Sequence, residues 1–339
     1  MTLRTACWVT VLAVSAAYVL HVLYGEFVYE DGAWLAMAAG GQAGGFWPRG
    51  LAQRLWIWQG SDPQTIHAVS LFLHGTNAAL VYLLARRLGL RSAFAGLAAV
   101  LFYAHRLGVE TVAYAAQQGE LIAAAGVLGA CVVAAGQWRW WTAPAIGALL
   151  LVGMGGKETA IVGVLLVPLT CWVTKADLWE LAAWLGLFVA VIGVIVAGGP
   201  VQLANIGQSV GAEVTALEWL LIQSTAVVRT FGLLLVPIGL TVDYDYDIVP
   251  IVYRWMSLGI LVGLTVLAIA GIKRWTFGAF CLGSMLLVIL PRLIVQTPRG
   301  NFNDHHAYLM IPFFALLVAH TWERVLEYYE CRDTSVSLS

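Results

Sequence analysis

The sequence predicts an all-α, polytopic membrane protein with about ten transmembrane helices, and three observations carry that expectation. The chain of 339 residues is 60% hydrophobic and only 11% charged. A soluble domain carries roughly 25% charged residues, and surface-to-volume scaling would force much of this apolar chain into water. Apolar runs of spanning length recur along it, and lysine and arginine gather in alternate short connections.

A membrane-crossing helix needs about 20 mostly apolar residues. Such runs lie near 5–24, 66–88, 92–107, 119–136, 142–156, 158–174, 178–198, 255–272, 276–292 and 306–322. The first could be mistaken for a signal peptide, since Arg4 precedes it. It is longer than the roughly 7–15 residues of a signal core, and no clear cleavage site follows. It reads as the first membrane helix. The segment 216–239 is also apolar but holds Arg229 at its middle, where a charge costs about 2.5–3.5 kcal/mol on insertion scales.

Orientation follows from the cationic loops. With a cytoplasmic N-terminus and 216–239 not crossing, the cytoplasmic side holds Arg86, Arg87, Arg91, Arg139, Lys175, Lys273, Arg274, Arg324 and Arg332. A full crossing at 216–239 would move Lys273 and Arg274 outside. The segment is therefore expected to be an outer-side interfacial or re-entrant helix. In a bacterium this would be a multi-pass protein of the inner, cytoplasmic membrane.

One domain is expected over 1–323, with outer loops at 25–65, 199–254 and 292–305 and a short cytoplasmic tail at 324–339. The net charge of -1 leaves no basic excess for nucleic acid. Cys7, Cys131, Cys171, Cys281 and Cys331 are scattered, with neither disulfide nor zinc spacing.

Most acids fall on the outer side under this topology, and the sharpest pair is Glu30-Asp31, just after the first span. A carboxylate beside lipid-facing helices is costly unless something uses it. It can act as a general base, or it can be a solvated helix start favoured by the dipole. Gly155-Gly156-Lys157-Glu158-Thr159 is not a phosphate loop, because Glu158 stands where serine or threonine belongs and Leu151 where glycine belongs. It reads as a tight hairpin with a Lys-Glu pair at its tip, able to meet a lipid phosphate or to form a helix-end ion pair.

His305 and His306 follow Asp304 at the start of the last span. They suit hydrogen bonding to sugar or phosphate, or capping. A divalent metal would need further ligands at defined spacing, so none is supported. Asp243, Asp245 and Asp247 alternate with tyrosines but lack the glycine and final glutamate of a calcium loop. His21, His67, His74 and His320 read as packed polar residues of the spans.

Several segments together resemble the GT-C membrane glycosyltransferases. They are most similar to the O-mannosyltransferases that carry transmembrane and tetratricopeptide-repeat regions. FVYEDGAW resembles their acidic first-loop motif, and LHGTNAALVYLLARRL their second helix. AHRLGVETVAYAAQQGELIAA resembles the third-to-fourth helix segment, and GMGGKETAIVGVLLVP the Lys-Glu-Thr hairpin. RTFGLLLVPIGLTVDYDY and NDHHAYLMIPFFALL resemble the outer-loop helix and the last-helix motif. The matches run in order over almost the whole chain.

The resemblance implies a GT-C-like fold and transfer of a sugar, with inversion, from a polyprenyl-phosphate-linked donor to a protein or glycan acceptor outside the membrane. It implies Asp31 or Glu30 as the base. Glu110, Lys157, Glu158, Arg229, His305 and His306 would line the substrate cavity, with Arg299 near the donor phosphate. The chain departs from the family pattern at Arg106, Gly108 and Gln118, and no repeats follow the last helix. Those departures leave a second expectation: a non-catalytic subunit or scaffold of a membrane complex. A transporter is disfavoured, since no paired inverted repeats are visible.

Overall fold

The computed structural model describes residues 18–25, 49–175, 215–240, 249–294 and 303–336. Those residues form helices joined by short turns, with no strand among them. Glu30, Asp31, Arg299, the acids Asp243, Asp245 and Asp247, the whole run 178–198 and most of the run 5–24 lie outside the described residues.

The helices are α1 (Gly50–Gln59), α2 (Pro63–Arg87), α3 (Ser92–Ala104) and the short α4 (Val109–Ala113). They continue with α5 (Gln118–Ala134), α6 (Thr142–Gly156), α7 (Gly163–Val173), α8 (Ala216–Leu235), α9 (Ile251–Gly271), α10 (Thr276–Ile294) and α11 (Met310–Val336). Local chemistry sets several boundaries. Asp62 caps α2 by accepting from the Thr65 backbone N–H at 2.9 Å, with Pro63 at the first helical position. Gly89, at φ 95°, ends it in the left-handed conformation that glycine tolerates. Thr215 and Glu218 form a reciprocal capping box that starts α8.

Among the described residues, four helical stretches are long and apolar enough to cross a membrane: Pro63–Arg87, Ala115–Ala134, Ile251–Gly271 and Thr276–Ile294. The run expected at 92–107 is instead a pair, Ser92–Ala104 and Arg106–Ala113, bent by 49°. The runs at 142–156 and 158–174 are shorter apolar helices. The last helix continues unbroken from Met310 to Val336, so most of the expected tail is helical.

The apolar residues of α9 illustrate the lipid-facing pattern. Trp255, Met256, Val262, Val266 and Ile269 are all exposed. An apolar face of this extent is unlike the surface of a soluble monomer.

The tightest contact in the bundle joins α5 and α6 through glycines. A Cβ on Gly126 would lie 2.5 Å from the Leu149 carbonyl oxygen, and one on Gly119 would lie 2.7 Å from that of Gly156. Small residues let two apolar helices approach to backbone contact, where packing and not water exclusion provides the attraction. After Gly156 the chain turns back. Gly153 faces Ala160 and Gly163 faces Leu150, so Lys157 and Glu158 sit at the tip of a hairpin.

α8 has a different path. The Trp219 indole N–H in its first turn donates to the Arg292 carbonyl at 3.1 Å. Its Leu234 carbonyl accepts from His105 Nε2 at 3.0 Å. Arg292 closes α10 and His105 closes α3, and α10 and the 106–108 turn that follows α3 both pack against the 304–307 turn that precedes α11. Both ends of α8 therefore meet one end of the bundle.

Candidate functional site

Charged and polar side chains converge where α2, α5 and α11 begin and α3, α6 and α10 end. The glycine contact places two of them. Because Gly119 and Gly156 touch, the next residues, Glu120 and Lys157, fall side by side. Lys157 Nζ lies 2.7 Å from Glu120 Oε1, both side chains being buried. The same ammonium donates to Gln117 Oε1 at 3.0 Å, and Thr159 Oγ1 donates to Glu120 Oε2 at 2.8 Å. A buried charge is tolerated only with such partners.

Glu158, the next residue at the tip, accepts two bonds from Arg49, at 3.0 Å from Nε and 2.6 Å from Nη2. Both side chains keep 40% of their exposure. Partial burial acts to raise the Glu158 carboxyl. The Arg49 hydrogen bonds and charge, with Lys157 nearby, outweigh it and hold the pKa down at about 2. Glu158 is therefore a carboxylate across the physiological range.

On the other side of the cluster, Glu110 accepts from the backbone N–H of His305 at 3.1 Å and shares a 2.8 Å hydrogen bond with its ring Nδ1. The imidazole and the carboxyl share this bond, and its proton can lie on either partner. Burial, reinforced by the positive charges of Lys157, Arg292 and Arg49, pushes the His305 pKa well below its ordinary value. The ring is held neutral. His306 accepts the Asn303 N–H on Nδ1 at 3.0 Å and meets the Arg292 guanidinium through Nε2. A cavity of about 30 Å³ lies between Glu120, Thr159, Arg292 and His306 and the apolar side chains of Val162, Ile289 and Leu309.

A neutral network supports this layer. Gln118 is fully buried and exchanges amide bonds with Gln59 at 3.0 and 2.9 Å, while also donating to the Ile66 carbonyl. Deeper in the bundle, His74 Nε2 faces the Tyr103 carbonyl at 3.0 Å, which fixes the proton there. Tyr308 then donates to His74 Nδ1 at 2.7 Å and accepts from Asn77 at 3.2 Å.

Of the residues expected from sequence, the structure brings together Glu110, Lys157, Glu158, His305 and His306. Arg229 is instead on the exposed side of α8, where it donates to the Gly239 carbonyl at 2.9 Å. Sequence reasoning did not single out Arg49, Gln117, Glu120, Thr159 or Arg292 as site residues. The available signal was Glu120 directly after Gly119, opposite a hairpin that also has glycine before its lysine. Among the described residues, no group of three or more His, Cys, Asp or Glu is placed to hold a metal ion.

No family model matches the chain, and no curated protein or solved structure matches it. Fold and site together define a class: an α-helical membrane protein whose apolar bundle carries a paired, partly buried charge cluster at one end.

Proposed function

We propose that this protein is a GT-C-like membrane glycosyltransferase that takes its sugar from a polyprenyl-phosphate-linked donor. The observation that carries the reading is the gathering of Arg49, Lys157, Arg292, His305 and His306 with Glu110, Glu120 and Glu158 at one end of an apolar bundle. A lipid-borne phosphate and a polar acceptor meet at that depth. The chemistry divides simply. Asp31, or its neighbour Glu30, takes the proton of the acceptor nucleophile. The nucleophile attacks the anomeric carbon, and the bond to the phosphate oxygen breaks with inversion. Cationic side chains such as Lys157 and Arg292, with Arg299, stabilise the charge on the leaving polyprenyl phosphate. Holding both partners in one groove contributes up to ~7–11 kcal/mol through positioning alone. In this reading the cluster faces the outer side, the N-terminus is cytoplasmic and about ten helices cross the membrane.

A second reading is a non-catalytic subunit of a membrane complex that kept the fold. It is favoured by the mutual pairing of the cluster's charges and by a cavity of only about 30 Å³ between them, room for one or two waters. Donor turnover separates the two. The purified protein in lipid nanodiscs is incubated with polyprenyl-phosphate sugars, and release of sugar to acceptor or water is followed. The enzyme reading expects turnover, and its loss in Asp31→Asn with unchanged thermal unfolding. Full activity in Asp31→Asn removes Asp31 as base. No turnover of any donor, with a stoichiometric protein partner in the purified complex, supports the second reading.

A further inference from the structure

At the opposite end of the bundle a second cavity, of about 370 Å³, opens beside the turn between α5 and α6. Arg87, at the end of α2, and Arg139 line it together with Gly136, Trp141, Val132 and Val133. Its lining is mixed: two guanidinium groups together with two valines and an indole.

The arginines at this end are not equivalent. Arg86 donates to the Leu90 carbonyl at 2.5 Å, and Arg91 pairs with Glu323 on α11 at 2.9 Å. Those two are committed to the fold. Arg87 and Arg139 are exposed, and among the described residues neither is paired with a carboxylate. Gly136 is part of the arrangement. A Cβ there would lie 2.7 Å from Arg87 Nη1, so only glycine leaves room for the guanidinium where it lies.

The cavity also sits at a defined level. α2 and α5 both end here, and both belong to stretches long and apolar enough to cross a membrane. Trp140 is 89% exposed and Trp141 42% exposed. Indole rings prefer the headgroup level of a bilayer.

We propose that this cavity binds the phosphate of an anionic phospholipid. Arg87 and Arg139 hold the phosphate oxygens, for which the planar guanidinium fork is suited. The valines and Trp141 receive the glycerol backbone and the first methylenes of the chains. Basic pockets between membrane helices commonly take anionic headgroups. The inference is independent of the transfer reaction, since its residues are at the other end of the bundle.

The test is lipid retention by the full chain. Delipidated protein in detergent is titrated with phosphatidylglycerol, with phosphatidylcholine and with inorganic phosphate, and binding is read by native mass spectrometry and thermal shift. The wild type is expected to prefer phosphatidylglycerol. Arg87→Gln with Arg139→Gln is expected to weaken that binding about thirty-fold, the loss of two arginines beside an anionic headgroup. Gly136→Ala displaces the Arg87 guanidinium, and its Cβ also lies 3.2 Å from the Val133 carbonyl oxygen; with thermal unfolding checked in the absence of lipid, it is expected to weaken binding by a smaller factor. Arg324→Gln, which removes an exposed pair with Glu327, is expected to change nothing. Equal retention of phosphatidylglycerol by the double variant and by Gly136→Ala overturns the proposal. Equal affinity for phosphatidylcholine also overturns it, and so does protection by inorganic phosphate equal to that by the lipid.

Discussion

Lys157 is the residue on which the charge cluster turns. It is buried against Glu120 and Gln117 beside helices of almost wholly apolar composition. Removing one member of a buried pair leaves the other charge uncompensated. Lys157→Met is therefore expected to destabilise the protein by about 3–5 kcal/mol, whereas Lys157→Met with Glu120→Leu is expected to recover most of that loss. Unfolding in detergent measures both. A double variant no more stable than the single one would show that the two charges are not coupled. The Arg49–Glu158 pair beside them is more exposed, so solvent screens it and its removal matters less to stability.

At the scale of elements, the α5–α6 pair decides where those side chains meet. Gly126 sits against the Leu149 carbonyl and the Gly153 backbone, and backbone cannot swing aside as a side chain does. Gly126→Val is expected to destabilise by about 3 kcal/mol through overpacking. Gly75→Ala is the matched control, because a Cβ on Gly75 in α2 meets nothing within 4 Å. There alanine is expected to be neutral or to add about 0.5–1 kcal/mol of helix stability. Equal behaviour of the two substitutions in thermal unfolding would mean that the helices do not rely on this contact. Glu120 and Lys157 were both legible as charged residues in the sequence. Their adjacency was not, because it depends on which of many glycines face one another across two helices.

For the molecule as a whole, the path of α8 sets the sidedness. Both of its ends meet the cluster end of the bundle, through Arg292 and His105. Ala216 and Ile238 are exposed and flank the helix. Cysteines placed singly at these positions, in a Cys331→Ser background, are expected to react with a membrane-impermeant maleimide from the same side of intact vesicles. Labelling from opposite sides would make α8 a full crossing and reverse the direction of α9 and α10 relative to the membrane.

Composition alone determined that this chain is helical and apolar enough for a membrane, because charge content and run length act residue by residue. The hairpin at Lys157-Glu158 and the caps of α2 and α8 were likewise written locally. Tertiary structure decided the rest. It bent the 92–113 segment, sent Arg229 to an exposed face, and paired Glu110 with His305 across 195 positions of chain. It also left Arg87 and Arg139 without carboxylate partners among the described residues while committing Arg91 to Glu323. Apolar patterning specifies that helices pack, but helices equally apolar all round carry little information about which faces meet. That choice falls to backbone contact at glycines and to the few charges that must find partners, and both act between residues distant in sequence.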